Sequence, residues 1–250
     1  MLPKNSSMTG FELLFVDRDK LFIDDIRHKF RGVPEARCLV ADIASVPRKN
    51  TGFVSPANSL GFMDGGVDYA YSRRMFPGVE RAVRAKISSL GLRTALGRPY
   101  LPVGSAVVVP VKAEEDDVHE TACLVAAPTM FLPHDVSGTR NAYHAFMAAL
   151  CAFDRYRSSG PRSTYGRRYI RTLVCPAMCT GWGQMSVWDA AQQMRQAYDD
   201  FVLCKKPQER PRAGTRATDD CVFLAVSKDD EQPDNYDTRE IKTVPLSALA

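Results

Sequence analysis

Residues 52–71 read Gly-Phe-Val-Ser-Pro-Ala-Asn-Ser-Leu-Gly-Phe-Met-Asp-Gly-Gly-Val-Asp-Tyr-Ala-Tyr, and this stretch decides the fold. Gly52–Val54 is a short apolar run of strand type that exits into the small polar segment Ser55-Pro-Ala-Asn58. A glycine-bearing loop follows, and from Val67 the pattern turns helical, with Val67, Ala70 and Tyr71 on one face. A strand that leaves through glycine and small polar residues into a helix is the arrangement by which backbone N–H groups and a helix N-terminus hold phosphate.

The pattern repeats on either side. Upstream, Phe11–Val16 is a continuous apolar run of strand length, and Asp17 and Asp19 offer N-caps to a helix carrying Phe22, Ile26 and Phe30 on one face. Arg37–Val40 reads as a further short buried strand. Downstream, Pro77 opens a helix bearing Val79, Val83, Ile87 and Leu90. Ala106–Val111 and Thr121–Ala126 are β-branched strands joined by the acidic loop Glu114–Asp117, and such uniformly apolar strands suit a sheet covered on both faces. Ser137 or Thr139 caps a helix with Tyr143, Phe146, Met147, Leu150 and Phe153 on its apolar side. Tyr169–Cys175 is then a strand ending in a second glycine loop, Pro176–Gln184, before a helical stripe of Val187, Ala191, Met194, Tyr198 and Phe201. Lys205–Arg216, with five basic residues and two prolines, reads as a surface loop before a last strand at Cys221–Val226.

Strands alternating with helices in this order predict an α/β protein, a three-layer α/β/α domain with a mixed, mostly parallel central sheet. Ligands in such folds bind outside the carboxyl ends of the strands, where both glycine loops fall. The expected organisation is a flexible N-terminal tail over 1–9, a single domain over 10–228 with inserted loops near 112–120, 155–169 and 205–220, and a weakly ordered tail over 229–250.

Composition excludes several classes. With 250 residues, 45% of them hydrophobic and 25% charged, the chain is neither disordered, collagenous nor a small disulfide scaffold. Apolar runs such as Ala145–Phe153 stop far short of the roughly eighteen residues of a membrane span. A net charge of +4 is too small to imply nucleic-acid binding but favours an anionic small ligand. The seven cysteines lack the paired Cys-x-x-Cys spacing of a zinc site, and most read as buried thiols. No secretory leader is visible, so an intracellular setting, cytoplasmic or nuclear, is the expectation. The sequence has no Gly-x-Ser-x-Gly elbow, no Gly-x-x-x-x-Gly-Lys loop, no full dinucleotide fingerprint and no His-Glu-x-x-His helix.

The segments resemble the macrodomain family of ADP-ribose-binding proteins. Pro56-Ala-Asn58 is similar to that family's Asn-Ala-Ala-Asn strand end, and Gly65-Gly-Val-Asp68 to its Gly-Gly-Val-Asp phosphate loop. Ala41-Asp-Ile43 resembles its Gly-Asp-Ile, Leu101-Pro-Val-Gly-Ser-Ala106 the segment before its central strand, and Cys175-Pro-Ala-Met-Cys-Thr-Gly-Trp-Gly183 its Pro-Ala-Ile-Ser-Thr-Gly loop. The resemblance spans residues 11–203. It implies that Asp42 accepts a hydrogen bond from the adenine amino group and that Ile43 flanks the ring. It further implies that backbone N–H groups of Gly65, Gly66 and Val67 hold the diphosphate, opposed by Thr180, Gly181, Trp182 and Gly183, with Gln184 closing the second loop. In hydrolytic, MacroD-type members an Asn and an Asp ten residues apart flank the distal ribose. Asn58 and Asp68 keep that spacing, which implies an ADP-ribosyl hydrolase in which Asn58 orients ribose hydroxyls and Asp68 positions or deprotonates water. No cofactor and no metal are implied. Met63-Asp64 stands where members often carry further glycines, and the second loop is about one residue shorter than usual.

Other readings stand beside these. Asp68 is also a candidate helix cap, Asn58 a strand-end group satisfying backbone, Asp42 a turn residue, and Trp182 a core side chain rather than a cover. The same pocket without catalysis makes a reader of mono- or poly-ADP-ribose. Six arginines at 155, 157, 162, 167, 168 and 171, interleaved with Tyr156, Tyr165 and Tyr169, could instead contact RNA or poly-ADP-ribose, against a solvated loop. Glu114–Asp117 with His119 is a cation candidate against another solvated loop, and Cys175 with Cys179 a redox pair against small residues near a phosphate loop.

Overall fold

The computed structural model describes residues 8–113, 121–158, 169–205 and 221–223. The acidic loop Glu114–Asp117 with His119, Arg162, Tyr165, Arg167 and Arg168, the basic segment from position 206 and the C-terminal tail lie outside the described residues.

The first strand, β1 (Glu12–Asp17), leads into α1 (Lys20–Lys29). Asp19 caps this helix, its carboxylate accepting from the Leu21 N–H at 2.8 Å, and Phe22, Ile23 and Ile26 are buried while Arg27, His28 and Lys29 sit at the negative end of the helix dipole. Asp19→Ala is expected to cost about 1 kcal/mol, read as a lowered denaturation midpoint with an unchanged slope. Next come β2 (Ala36–Val40), β3 (Thr51–Ser55) and the one-turn helix α2 (Gly66–Tyr69), which widens without a break into a π-helical turn over Ala70–Met75. That wide turn seats Tyr71, whose hydroxyl donates to the Val54 carbonyl at 3.0 Å inside the core.

α3 (Val79–Ser89) starts behind Gly78, which takes φ +86°, so the helix opens at Val79, two residues after Pro77 rather than at the proline. Its stripe Val79, Val83, Ile87 and the following Leu90 is buried. A hairpin of β4 (Ser105–Val111) and β5 (Ala122–Ala126) then precedes α4 (Asn141–Ser158), where the Thr139 hydroxyl accepts from the Asn141 N–H at 3.2 Å. β6 (Thr172–Cys175), α5 (Val187–Lys205) and β7 (Cys221–Phe223) complete the order.

The sheet runs β2-β1-β6-β3-β5-β4-β7. The pairs β1·β2, β1·β6, β3·β6 and β3·β5 are parallel, and β4 is antiparallel to both β5 and β7. Side chains alternate between two cores. Leu13, Phe15, Val54, Cys123, Val125 and Leu173 face α1, α4 and α5, whereas Val16, Phe53, Leu124 and Val174 face α2 and α3. Helices on both faces explain why the middle of each inner strand is apolar on both sides, as at Leu13–Val16, Gly52–Val54 and Leu173–Cys175. Gly52 permits the close approach of α4, because a Cβ there would lie 2.5 Å from a Phe153 ring carbon.

Two details differ from the sequence reading. β2 is an edge strand, with Leu39 and Val40 each 44% exposed, because nothing pairs with its outer side among the described residues. Thr9, at the end of the segment read as a tail, is buried: its N–H donates to the Glu35 carboxylate at 3.2 Å and its carbonyl accepts from Lys205 Nζ at 2.8 Å. Among the described residues no helix is long and apolar enough to cross a membrane.

Candidate functional site

β1, β6 and β3 lie side by side and parallel, so their carboxyl ends open on one edge of the sheet. The chain leaves them through Asp17, through Pro176–Gly183 and through Pro56–Asn58. Two adjoining cavities of about 360 and 320 Å³ lie there and share Asp17, Gly66, Val67 and Pro176 as walls. The first holds Asp42 and Ile43; the second holds Asn58, Gly65, Asp68, Thr180, Gly181, Trp182 and Gly183. Every sequence-derived site residue except Gln184 therefore lines one or both. The sizes fall near the low end of small-molecule sites.

Asp68 sits in the first turn of α2, 8% exposed, and its Oδ1 accepts from the Ser55 hydroxyl at 2.5 Å. It is not the cap of that helix: the cap position belongs to Gly65, which has no side chain to offer. The first-turn N–H groups, which have no acceptor within a helix, are thus left to solvent or ligand. Burial pushes the Asp68 carboxyl up to about 7, against the lowering bond from Ser55 and with a further rise from the Asp64 carboxylate. A carboxyl poised near neutrality in a cleft has the acidity that acid–base catalysis uses.

Asn58 is half-buried and engaged by its own loop. Its Oδ1 accepts from the N–H groups of Leu60 at 3.0 Å and Phe62 at 3.3 Å, and its Nδ2 donates to the Phe62 carbonyl at 3.3 Å. The side chain closes the 58–62 loop, which is the strand-end role, while still lining the second cavity.

The two glycine loops differ in why they need glycine. Gly66 takes φ +54° with open space where a Cβ would point. Gly183 is set by crowding, since a Cβ there would lie 2.4 Å from the Cys179 carbonyl oxygen and 2.8 Å from Val136 Cγ2. Cys179 at φ +66° and Gln184 at φ +53° bracket this loop in a conformation that non-glycine residues rarely adopt, tied by Met185 N–H to the Cys179 carbonyl at 3.0 Å and Gln184 N–H to the Gly181 carbonyl at 3.1 Å. Trp182 is 73% exposed, with its indole nitrogen 3.9 Å from where a Cβ of Gly65 would stand, so it covers the gap between the loops rather than filling the core.

Asp42 carries more than an open acceptor. Its Oδ1 caps a single 3₁₀ turn at Ala44 N–H, 3.0 Å, while Oδ2 is ion-paired with both Arg18 and Arg74. The Ala44 N–H and then the two guanidinium groups hold this carboxyl well below the usual carboxylate range. One lone pair on Oδ1 stays available for a further donor.

Several lining groups gave no sequence signal beyond position. Asp17 closes β1, its Oδ2 accepting from the Ala177 N–H of the second loop at 3.1 Å and its Oδ1 from Asp19 N–H at 2.9 Å, so it ties the β1–α1 turn to the base of the second loop. Its place at a strand's carboxyl end was the available clue. Ser55, Arg18, Arg74, Phe62 and Met130 needed the fold to be found. Among the described residues no three His, Cys, Asp or Glu side chains are grouped to hold a metal ion. Burial pushes the Cys179 thiol up to about 12 and the Cys175 thiol well above its ordinary value, which suits packing residues and not thiolate chemistry. In the arginine-rich stretch, Tyr156 is buried and Arg157 donates to the carbonyls of Ile170 and Gly10, so both serve the packing of α4.

No protein-family model matches the chain, and no curated protein matches it. Among solved structures it is similar to the macrodomain of Mycobacterium tuberculosis DarG, at 16% identity and a TM-score of 0.45 over 65% of this chain and 88% of that one. It is also similar to two structures of the Oceanobacillus iheyensis macrodomain. One is a glycine-to-valine mutant with ADPR, at 14% identity and TM-score 0.46 over 65% of this chain and 75% of that one. The other has MES bound, at 15% identity and TM-score 0.46 over 65% of this chain and 74% of that one.

Proposed function

We propose that this chain is a macrodomain-type protein that binds ADP-ribose and hydrolyses ADP-ribosyl groups from protein side chains or small esters. The observation that carries the reading is the convergence of two glycine loops, from the neighbouring strands β3 and β6, over one cavity that also holds the buried carboxyl of Asp68. Gly65, Gly66 and Val67 line the same cavity as Thr180–Gly183, and in this reading their N–H groups hold the diphosphate with Trp182 over it. Asp42 and Ile43 line the adjoining cavity, where an adenine would lie. Above about pH 7 the ionised Asp68 accepts a proton from water as that water attacks the anomeric carbon, and the side-chain oxygen departs with the bonding pair.

One observation favours a second reading, a non-catalytic reader of mono- or poly-ADP-ribose: the Asn58 amide is already committed to three backbone bonds in its own loop. Calorimetric titration with ADP-ribose, AMP and NAD is the direct test. Micromolar binding of ADP-ribose, with AMP and NAD at least about tenfold weaker, is expected. Absent binding, or equal affinity for all three, overturns the assignment; binding without release of ADP-ribose from a modified protein selects the reader.

A further inference from the structure

A second concavity lies outside the site above. It is a groove of about 1000 Å³ along α3, and four of its walls are arginines: Arg73, Arg81, Arg84 and Arg98, opposed by a single carboxylate, Glu80. All four arginines are exposed. Among the described residues Arg73, Arg81 and Arg98 have no ion pair. Arg81 and Arg84 are three apart on α3 and so project on one face of it. Arg84 lies with its guanidinium 4.3 Å from the centre of the Phe62 ring, which holds it in place.

Phe62 lines both this groove and the cavity that contains Asn58 and Asp68. The loop carrying it is pressed onto α3. Gly61 takes φ +73°, and a Cβ there would lie 2.9 Å from Ile87 Cδ1 and 3.1 Å from Arg84 Cγ. Phe62 is thus the side chain that the cavity of Asn58 and Asp68 and the arginine groove have in common.

The chemistry of the walls selects the occupant. Arginine forks recognise carboxylates and phosphates in bidentate fashion, and the groove holds arginine without lysine. A single-stranded nucleic acid needs open aromatic faces on which bases stack. The one aromatic ring here, Phe62, already has the Arg84 guanidinium over it. We infer that the groove of Arg73, Arg81, Arg84 and Arg98 docks an acidic peptide segment, the stretch of substrate protein that carries the ADP-ribosyl group held in the adjoining cavity. This inference rests on the ADP-ribose reading of that cavity.

The test uses the full chain and the charge-reversed variant Arg81→Glu/Arg84→Glu, with thermal unfolding to confirm an unchanged fold. Four probes are titrated by fluorescence anisotropy or competition: free ADP-ribose, a Glu-rich decapeptide, the same decapeptide bearing one ADP-ribosyl group, and a ten-residue thymidine oligonucleotide. The modified peptide is expected to bind the wild type about tenfold tighter than free ADP-ribose, with the gain lost in the variant and weakened by salt, while free ADP-ribose binds both proteins alike. Arg81→Lys/Arg84→Lys is expected to recover part of the gain. A modified peptide no tighter than ADP-ribose, or a gain that survives charge reversal, overturns the inference. So does an oligonucleotide that competes as well as the unmodified peptide, which would assign the groove to nucleic acid. Where free ADP-ribose does not bind the wild type, the cavity reading fails by itself. The groove is then judged on the unmodified decapeptide, whose binding must be lost on charge reversal for the docking surface to stand.

Discussion

Asp68→Asn is expected to slow turnover by roughly 10²–10⁴-fold while leaving ADP-ribose bound, and to change how stability depends on pH. The carboxyl is buried, bonded to Ser55 and pushed up to about 7, against an unfolded value of about 3.9. The folded chain therefore binds this proton more tightly than the unfolded chain does. Its contribution to stability is complete below about pH 4, declines as pH rises, and is lost once pH passes about 7. Three pH units correspond to at most about 4 kcal/mol for this one group. An asparagine cannot ionise, so the variant should gain on the wild type between about pH 4 and pH 7 and level off above that. Urea midpoints at pH 4, 6 and 8 read this directly, and parallel pH profiles for the two proteins would show that the carboxyl is not held neutral by burial. The catalytic part is read separately. Wild-type release of ADP-ribose should rise with pH through about 7, and the variant should lose roughly 10²–10⁴-fold in rate with affinity nearly unchanged. Rates equal in both proteins would remove Asp68 from the mechanism. Asp64→Asn should move the wild-type inflection downward, since the Asp64 carboxylate adds to the rise.

Gly183→Ala should be the most damaging single methyl in the second loop. The new Cβ would stand 2.4 Å from a backbone carbonyl, that of Cys179, and 2.8 Å from the Val136 side chain. The carbonyl cannot swing away freely, because it accepts the Met185 N–H at 3.0 Å, and Gly183 itself is pinned where its carbonyl accepts the Val136 N–H at 2.9 Å. The loop must shift as a body, taking the groups opposite Gly65–Val67 with it. A cost of about 1–3 kcal/mol in stability is expected, with ADP-ribose affinity falling at least tenfold, on the order of 1.4 kcal/mol. Gly138→Ala is the matched control, with nothing within 4 Å of its added Cβ and hence a stability change within about 0.5 kcal/mol. Wild-type affinity in Gly183→Ala would mean that this loop does not contact the ligand.

How much of this was legible in the sequence can be argued residue by residue. The hydrophobic spacing of Phe22, Ile26 and Phe30 and of Val79, Val83 and Ile87 fixed two helices, because a helix buries one stripe whatever it packs against. The apolar runs at β3, β4 and β5 announced a sheet covered on both faces. Two glycine loops after strands, and the ten-residue interval from Asn58 to Asp68, were likewise local facts of the chain.

Only the tertiary structure decided what those pieces do together. Placing β6 between β1 and β3 is a choice of long-range pairing, which no local periodicity encodes, and it alone brings Thr180–Gly183 opposite Gly65–Val67. The same pattern of apolar residues left β2 at an edge with Leu39 and Val40 half in solvent, since burial depends on what lies next door. Charge states were equally a matter of surroundings. Asp42 and Asp68 are the same residue type, yet Ala44 N–H and two arginines hold one ionised while burial holds the other near neutral. The arginine groove follows the same rule: Arg73 and Arg98 are distant in sequence, and only the folded chain makes them walls of one surface.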